Sequence, residues 1–157
     1  MVKYVYDEIK EQDTMKHDDC IFCKIVEGTI PSAKVYEDDI VYAFLDLSQV
    51  SKGHTLIIPK EHTRDVFEMS PDLAADVYSR VPKVAQAIKT AFNAKGMNIL
   101  NNNEAIAGQS VFHMHLHLLP KYNEGEGFEA IWKTNEDAYT STELETIASS
   151  INEHITK

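Results

Sequence analysis

HMHLHLLP, His113 to Pro120, places three of the chain's seven histidines in five positions, with an apolar residue in each gap. Alternation of imidazole with Met114, Leu116 and Leu118 has a period of two, the period of a strand with one face in the core, and Pro120 predicts its end. His113, His115 and His117 therefore share the face turned away from that core. Same-face neighbours on a strand lie roughly 6.6–6.8 Å apart, so adjacent rings can converge on one small anionic group while the outer two cannot touch. A solvated strand face ordinarily carries Thr, Lys or Glu, and three successive histidines point to chemistry instead. One neutral ring can act as nucleophile while its neighbour donates a proton near neutral pH. Metal ligation is the rival use.

The segment before the strand, NNNEAIAGQS over residues 101–110, brings three side-chain amides, then Gly108, Gln109 and Ser110. Asn tolerates left-handed backbone and Gly allows close approach, so such a loop can aim N–H groups, an amide and a hydroxyl at a phosphate. Alone it would read as an ordinary Asn/Gly turn. Delivered to the end of a strand faced with imidazole, it completes a layout for phosphate chemistry: nucleophile, acid and anion-stabilising donors in one contiguous segment.

Outward from there, CIFCKIVEG predicts a short helix from Asp18 stopped by Gly28 and then Pro31, and KVYED, IVYAFLD and TLIIP predict three short strands, the third ended by Pro59. A long helix follows, capped by Ser70 with Pro71 at its first position. Its apolar face runs through Leu73, Val77, Val81, Val84, Ile88 and Phe92 until Gly96, and Pro82 predicts a kink. MNILN is a fourth strand and FHMHLHLL a fifth. TSTE, Thr140 to Glu143, is a capping box opening a last helix with Leu144, Ile147, Ile151 and Ile155 along one side. Strands without regular helical crossovers, and helices in separate blocks, predict an α+β domain on an antiparallel sheet of about five strands. Residues 1–17 read as a polar extension anchored only by Tyr4, Val5, Tyr6 and Ile9, and residues 18–157 as a single domain ending in the C-terminal helix.

With 157 residues, 43% of them hydrophobic and 25% charged, the chain suits one compact domain. A net charge of -10 argues against nonspecific binding to nucleic acid or to an anionic membrane, since no basic surface replaces phosphate counterions. A small ligand fits better. No signal peptide or membrane span is legible, which predicts a cytoplasmic protein. The two cysteines, Cys20 and Cys23, form a C-x-x-C. In a reducing compartment this is a metal or redox pair, although the flanks lack the βαβ context of a thioredoxin-like site; two reduced cysteines packed as small hydrophobes are the plainer alternative.

The string His113-Met-His115-Leu-His117-Leu-Leu matches the His-x-His-x-His-x-x signature, with x apolar, of the histidine triad (HIT) family of nucleotide hydrolases and transferases. GQSVFHMHLHLLP, KGHTLIIPKEH, IVYAFLDLSQV and CIFCKIVEGTIPSAKVYEDD resemble, in order and spacing, its Hint-like bacterial branch, from Cys20 to about Trp132. The resemblance implies the HIT-like fold, a homodimer, and hydrolysis at the α-phosphate of a purine nucleoside phosphoramidate or adenylated amine. Dinucleoside polyphosphate hydrolysis, nucleotidyl transfer, and a zinc-stabilised nucleotide-binding module with incidental catalysis are the alternatives.

By the same resemblance His115 attacks the α-phosphorus to give a nucleotidyl-histidine that water resolves. His117 holds the phosphate and helps protonate the leaving group, His113 orients the cluster, and His54 is a further active-site histidine. Asn103, Gln109 and Ser110 match positions contacting the phosphate and leaving group. Asp46 matches the carboxylate that takes the ribose hydroxyls, a suitable use for an acceptor-only side chain. Ile21, Phe22, Ile25, Phe44 and Leu47 match the apolar slot for the base, where plain core residues would look the same. Cys20, Cys23, His62 and His113 stand where many bacterial members bind a structural zinc, a closed Cys₂His₂ set. Catalysis itself needs no cofactor, and with His113 on zinc it falls on His115 and His117. Trp132 could lie in the C-terminal segment that, in this branch, approaches the neighbouring site in the dimer, or pack simply as core.

Overall fold

VYAFL, the second strand (β2, Val41–Leu45), is apolar at every position because both of its faces are covered. Val41 and Ala43 face one way, together with Ile57 of β3 (Thr55–Pro59) and with Met114, Leu116 and Leu118. Against them lies the long helix α2 (Pro71–Phe92) through Val77, Val81, Val84 and Ile88. Tyr42 and Phe44 face the other way, with Leu56 and Ile58, and are covered by Phe22 and Ile25 of the short helix α1 (Ile21–Val26). Each fully buried aliphatic side chain in these layers contributes about 1.5–3 kcal/mol. This is the arrangement of a computed structural model that describes residues 18–155. The predicted N-terminal extension and its anchors Tyr4, Val5, Tyr6 and Ile9 lie outside the described residues.

The sheet is completed by β1 (Lys34–Glu37), β4 (Gly96–Leu100) and β5 (Leu116–Lys121), in the order β1-β2-β3-β5-β4, with every neighbouring pair antiparallel. A third helix, α3 (Ser141–Glu153), closes the described chain. The fold is the α+β arrangement expected, with five antiparallel strands and three α-helices among the described residues.

Local chemistry explains most boundaries. The Ser70 side chain accepts the Leu73 N–H and Pro71 follows at the first turn of α2. Asp38 closes the β1–β2 turn by accepting the N–H groups of Ile40 and Val41. It also accepts a hydrogen bond from Arg80 of α2 at 2.9 Å. Burial works to raise the Asp38 pKa, but the Arg80 guanidinium and the two backbone donors hold it well below the usual carboxylate range. At α3, Thr140 and Glu143 form the predicted capping box.

Four boundaries differ from the sequence reading. Helix α2 carries Pro82 within it, on its exposed side, and continues beyond it. It stops at Asn93, whose left-handed backbone (φ 53°) caps the helix, so that Gly96 opens β4 instead of ending α2. Strand β5 starts only at Leu116, because β3 pairing ends at Ile57↔Leu116. Upstream of it the Met114 N–H turns to the Thr63 carbonyl. Pro120 stays inside β5, paired with Met97 and beyond the last β3 partner, where a missing N–H is tolerated. Ile155 falls outside α3, whose apolar side chains Leu144, Ile147 and Ile151 are all exposed in the single chain.

Candidate active site

The histidine row is not solvent-facing. Its alternation is as predicted, with Met114, Leu116 and Leu118 on the α2 side, but the opposite face is covered by α1, leaving His113 fully buried and His115 3% exposed. Phe22 does the covering: its ring stands edge-on to His113 and His115 at centroid distances of 5.9 and 5.2 Å. Sheet register brings two further groups to the same place. His117 pairs with Leu56 on β3, His54 immediately precedes β3, and Asp46 immediately follows β2.

Between α1 and this face lies a cavity of about 390 Å³, within the range of small-molecule sites. Ile21, Phe22, Ile25, Phe44 and Leu47 line its apolar side, with Asp46, Ser110, His115 and His117 as polar groups, so most residues expected of a nucleotide site converge there. Ser32, Ser48, Leu56 and Val111 also line it and were not foreseen. They lie in turns or in runs that read as plain core, and carry no pattern of their own.

Hydrogen bonds fix the imidazole tautomers. The His115 Nδ1–H donates to the His113 carbonyl at 2.7 Å, leaving the lone pair on Nε2. Val50 N–H donates to His54 Nδ1 at 3.4 Å, which puts the His54 proton on Nε2, 2.9 Å from His117 Nδ1 and 3.7 Å from an Asp46 carboxylate oxygen. His117 then carries its own N–H on Nε2. All three rings titrate below the ordinary histidine range. Burial is the main cause for each, opposed by the Asp46 charge, and His117 is pushed down to about 4 because the His115 and His54 rings add their repulsion. Near neutral pH the three rings are therefore uncharged, with one lone pair on His115 and one N–H on His117, both residues lining the same cavity.

The 101–110 loop serves differently from expectation. Asn103 and Gln109 do not line the cavity. The Asn103 amide bridges Val66 N–H and Asn101 Oδ1, and the buried Gln109 amide accepts from Glu104 N–H and donates to the Arg64 and Val111 carbonyls. Gln109 gives both of its amide donors to the loop, while Asn103 gives one donor and one acceptor. Asn101, which the sequence does not distinguish from its two identical neighbours, donates to the His115 carbonyl at 2.9 Å. Glu104 sits at φ 72°, ψ 153°, a backbone region otherwise left to glycine, and strain of this kind gathers at working sites.

Cys20, Cys23, His62 and His113 converge as a second cluster, their ligand atoms all within 4.8 Å of one another. His113 Nδ1 lies 3.4 Å from Cys20 Sγ and 3.6 Å from Cys23 Sγ, and His62 Nδ1 lies 3.3 Å from Cys23 Sγ. A tetrahedral zinc with Zn–S of about 2.3 Å and Zn–N of about 2.0–2.1 Å would separate sulfur from nitrogen by about 3.5–3.6 Å. The His113 ring donates its Nε2–H to the Pro59 carbonyl at 2.9 Å, which turns its Nδ1 lone pair to the sulfurs. The four residues fit such an ion.

A model of the HIT domain family matches residues 27–124. Protein Hit of Bacillus subtilis is 56% identical over 134 residues, 85% of this chain and 92% of that protein. The adenosine 5'-monophosphoramidase of Schizosaccharomyces pombe is 46% identical over 113 residues, 72% of this chain and 82% of that protein. Among solved structures, a HIT family protein from Bacillus anthracis aligns with a TM-score of 0.86 at 55% identity, covering 88% of this chain and 99% of that one. A zinc-bound histidine triad family protein from Mycobacterium smegmatis aligns with a TM-score of 0.67 at 31% identity, covering 87% and 98%.

Proposed function

The chain belongs to the histidine triad family, and from that premise we propose that it is a nucleotide hydrolase acting at the α-phosphorus of purine nucleoside phosphoramidates or adenylated amines, through a nucleotidyl-histidine on His115. The observation that carries this reading is the His115 Nδ1–H bond to the His113 carbonyl, which aims an unprotonated Nε2 into a cavity with an apolar slot at one end.

In the first step the Nε2 lone pair of His115 forms a bond to phosphorus while the P–N bond to the amine breaks, and the departing nitrogen takes the proton from His117 Nε2. In the second, water attacks phosphorus, its proton returns to His117, and the electron pair of the N–P bond returns to His115. His54 and Asp46 hold the His117 ring through the Nε2–H to Nδ1 contact. Asp46 also accepts the ribose hydroxyls, Ser110 meets the phosphate or leaving group, and the base sits among Ile21, Phe22, Ile25, Phe44 and Leu47. Asn103 and Gln109 act by shaping the loop that presents Ser110.

Cys20, Cys23, His62 and His113 would hold a structural zinc, tying α1 to the segment that leads into β5 and so keeping Phe22 over His115. Bound thiolates suit a reducing compartment, in keeping with a cytoplasmic protein; among the described residues no helix is long and apolar enough to cross a membrane. Among the described residues the outer edge of β4 is unpaired and Ile99 half exposed, and with the exposed Tyr78 and Phe92 of α2 this supports a homodimer across that edge.

The test is mass spectrometry after brief mixing with a nucleoside phosphoramidate. Nucleotidyl mass is expected on the peptide carrying His115, accumulating further in His117→Ala. Turnover retained by His115→Ala would overturn the mechanism.

A further inference from the structure

Asp46, His54 and His117 place one carboxylate oxygen and two imidazole nitrogens within 4.8 Å of one another, apart from the cysteine cluster. We propose that these three side chains form a second metal site, which takes a divalent transition-metal ion such as Zn²⁺ and switches off the reaction proposed above. The inhibition rests on that reading of the active site; the binding does not.

Two imidazoles and a carboxylate are the ligand set of ions that keep an open coordination position, as distinct from the closed Cys₂His₂ set. The spacing is close to what an ion needs. His54 Nε2 lies 2.9 Å from His117 Nδ1 and 3.7 Å from Asp46 Oδ2. Tetrahedral Zn–N bonds of about 2.0–2.1 Å would separate the two nitrogens by about 3.3 Å, so the rings need part by only about 0.4 Å. Access is available as well: His117 and Asp46 line the cavity, while His54 is held behind them at 3% exposure. The Asp46 carboxylate would have to loosen from Ser48, whose N–H it accepts on Oδ1 at 2.7 Å, or bind through Oδ2 alone. The second course needs no change in the turn.

An ion there competes with a proton. The bond between His54 and His117 is made by the one hydrogen lying between their facing nitrogens, and an ion on those nitrogens must expel it. His117 then loses the partner that fixes its tautomer, and with it the Nε2–H that protonates the leaving group is no longer held in place. Asp46 is drawn from the ribose position at the same time. Loss of turnover through both routes is the expected result, with nucleotide and ion competing for the cavity.

Cobalt(II) titration of the chelator-treated full chain tests binding without reference to turnover. Cobalt on the cysteine cluster brings thiolate charge-transfer absorption in the near ultraviolet; cobalt on Asp46, His54 and His117 brings only weak visible bands. The expected result is one equivalent of each kind, with the thiolate-free equivalent absent from both His54→Gln and Asp46→Asn, while the thiolate band, retained in each variant, reports an intact fold. Zinc added beyond the first equivalent should lower wild-type turnover at least tenfold, reversibly by chelator. A titration containing only the thiolate-type ion overturns the proposal, as does a thiolate-free ion that persists in both variants. Should the protein bind the second cobalt yet turn over no nucleotide with or without metal, the site stands and the hydrolase reading fails.

Discussion

His54 and His117 are joined by a hydrogen bond of 2.9 Å between facing ring nitrogens, although they are 63 residues apart in sequence. If His54 sets the His117 tautomer, removing it should slow protonation of the leaving group more than it weakens binding. For His54→Ala we expect kcat to fall by about 10²–10⁴, the usual worth of a positioned acid, with KM changed only a few-fold. A leaving group that needs no proton should recover most of the rate. Equal losses on both leaving groups would make His54 a packing residue.

Protonation of the cluster opposes folding. In the unfolded chain these histidines titrate near 6.5, whereas in the folded protein His117 titrates at about 4 and His54 and His115 below their ordinary value. As pH falls from about 6.5 toward 4 the unfolded state binds more protons, so stability must fall across that window and be flat, for these groups, above it. Asp38, held low in the fold, adds its own loss only below the ordinary carboxylate range near pH 4, and so leaves the window clear. Urea denaturation between pH 7 and 4.5 should give a shallower slope for His117→Asn than for the wild type.

Gln109 holds the strained loop. Its buried amide satisfies Glu104 N–H and the carbonyls of Arg64 and Val111, so Gln109→Ala leaves backbone groups without a partner. A loss of about 1–3 kcal/mol in stability is expected. Turnover should fall as well, because Ser110 is the neighbour of Gln109. Glu104→Gly, which relieves the φ 72° strain, should restore part of the stability in the double variant. Failure of the second substitution to help would mean the backbone relaxes on losing Gln109.

If zinc occupies the cysteine cluster, the purified protein should carry one equivalent there, and chelation should lower stability by about 3 kcal/mol relative to protein at free zinc a hundredfold above Kd. Metal analysis and thermal melts with and without chelator measure both. Absence of zinc from protein prepared without chelator, with no shift on adding it, would leave the cysteines as packed thiols.

What the sequence displayed and what it hid follow from the range of each interaction. The two-residue period of His113 to His117, the Ser70 cap and the Thr140–Glu143 box are local, and each appears where its pattern placed it. The start of β5 depends on where β3 ends, and the burial of the histidine face depends on α1, 90 residues earlier; neither can be seen within the motif. The loop contacts of Asn103 and Gln109 were hidden for a related reason. An amide that can contact phosphate can equally satisfy backbone, and only the positions of Val66, Arg64 and Glu104 decide between them.

Phe22 should control the acidity of His115. Its ring packs edge-on to His115 at 5.2 Å and to Phe44 at 5.6 Å, and burial is the first cause of the lowered His115 pKa. Phe22→Ala should destabilise the protein by about 3–5 kcal/mol and admit water to the ring. Once solvated, the imidazolium is less disfavoured, so the His115 pKa should rise toward 6.5 and the acid limb of the pH–rate profile should move to higher pH. Phe22→Leu, which keeps most of the cover, should shift it less and remain folded for NMR titration of the His115 ring. An unchanged His115 pKa in both variants would mean that the sheet and the cavity wall alone keep water from the nucleophile, and that α1 acts only through the base slot.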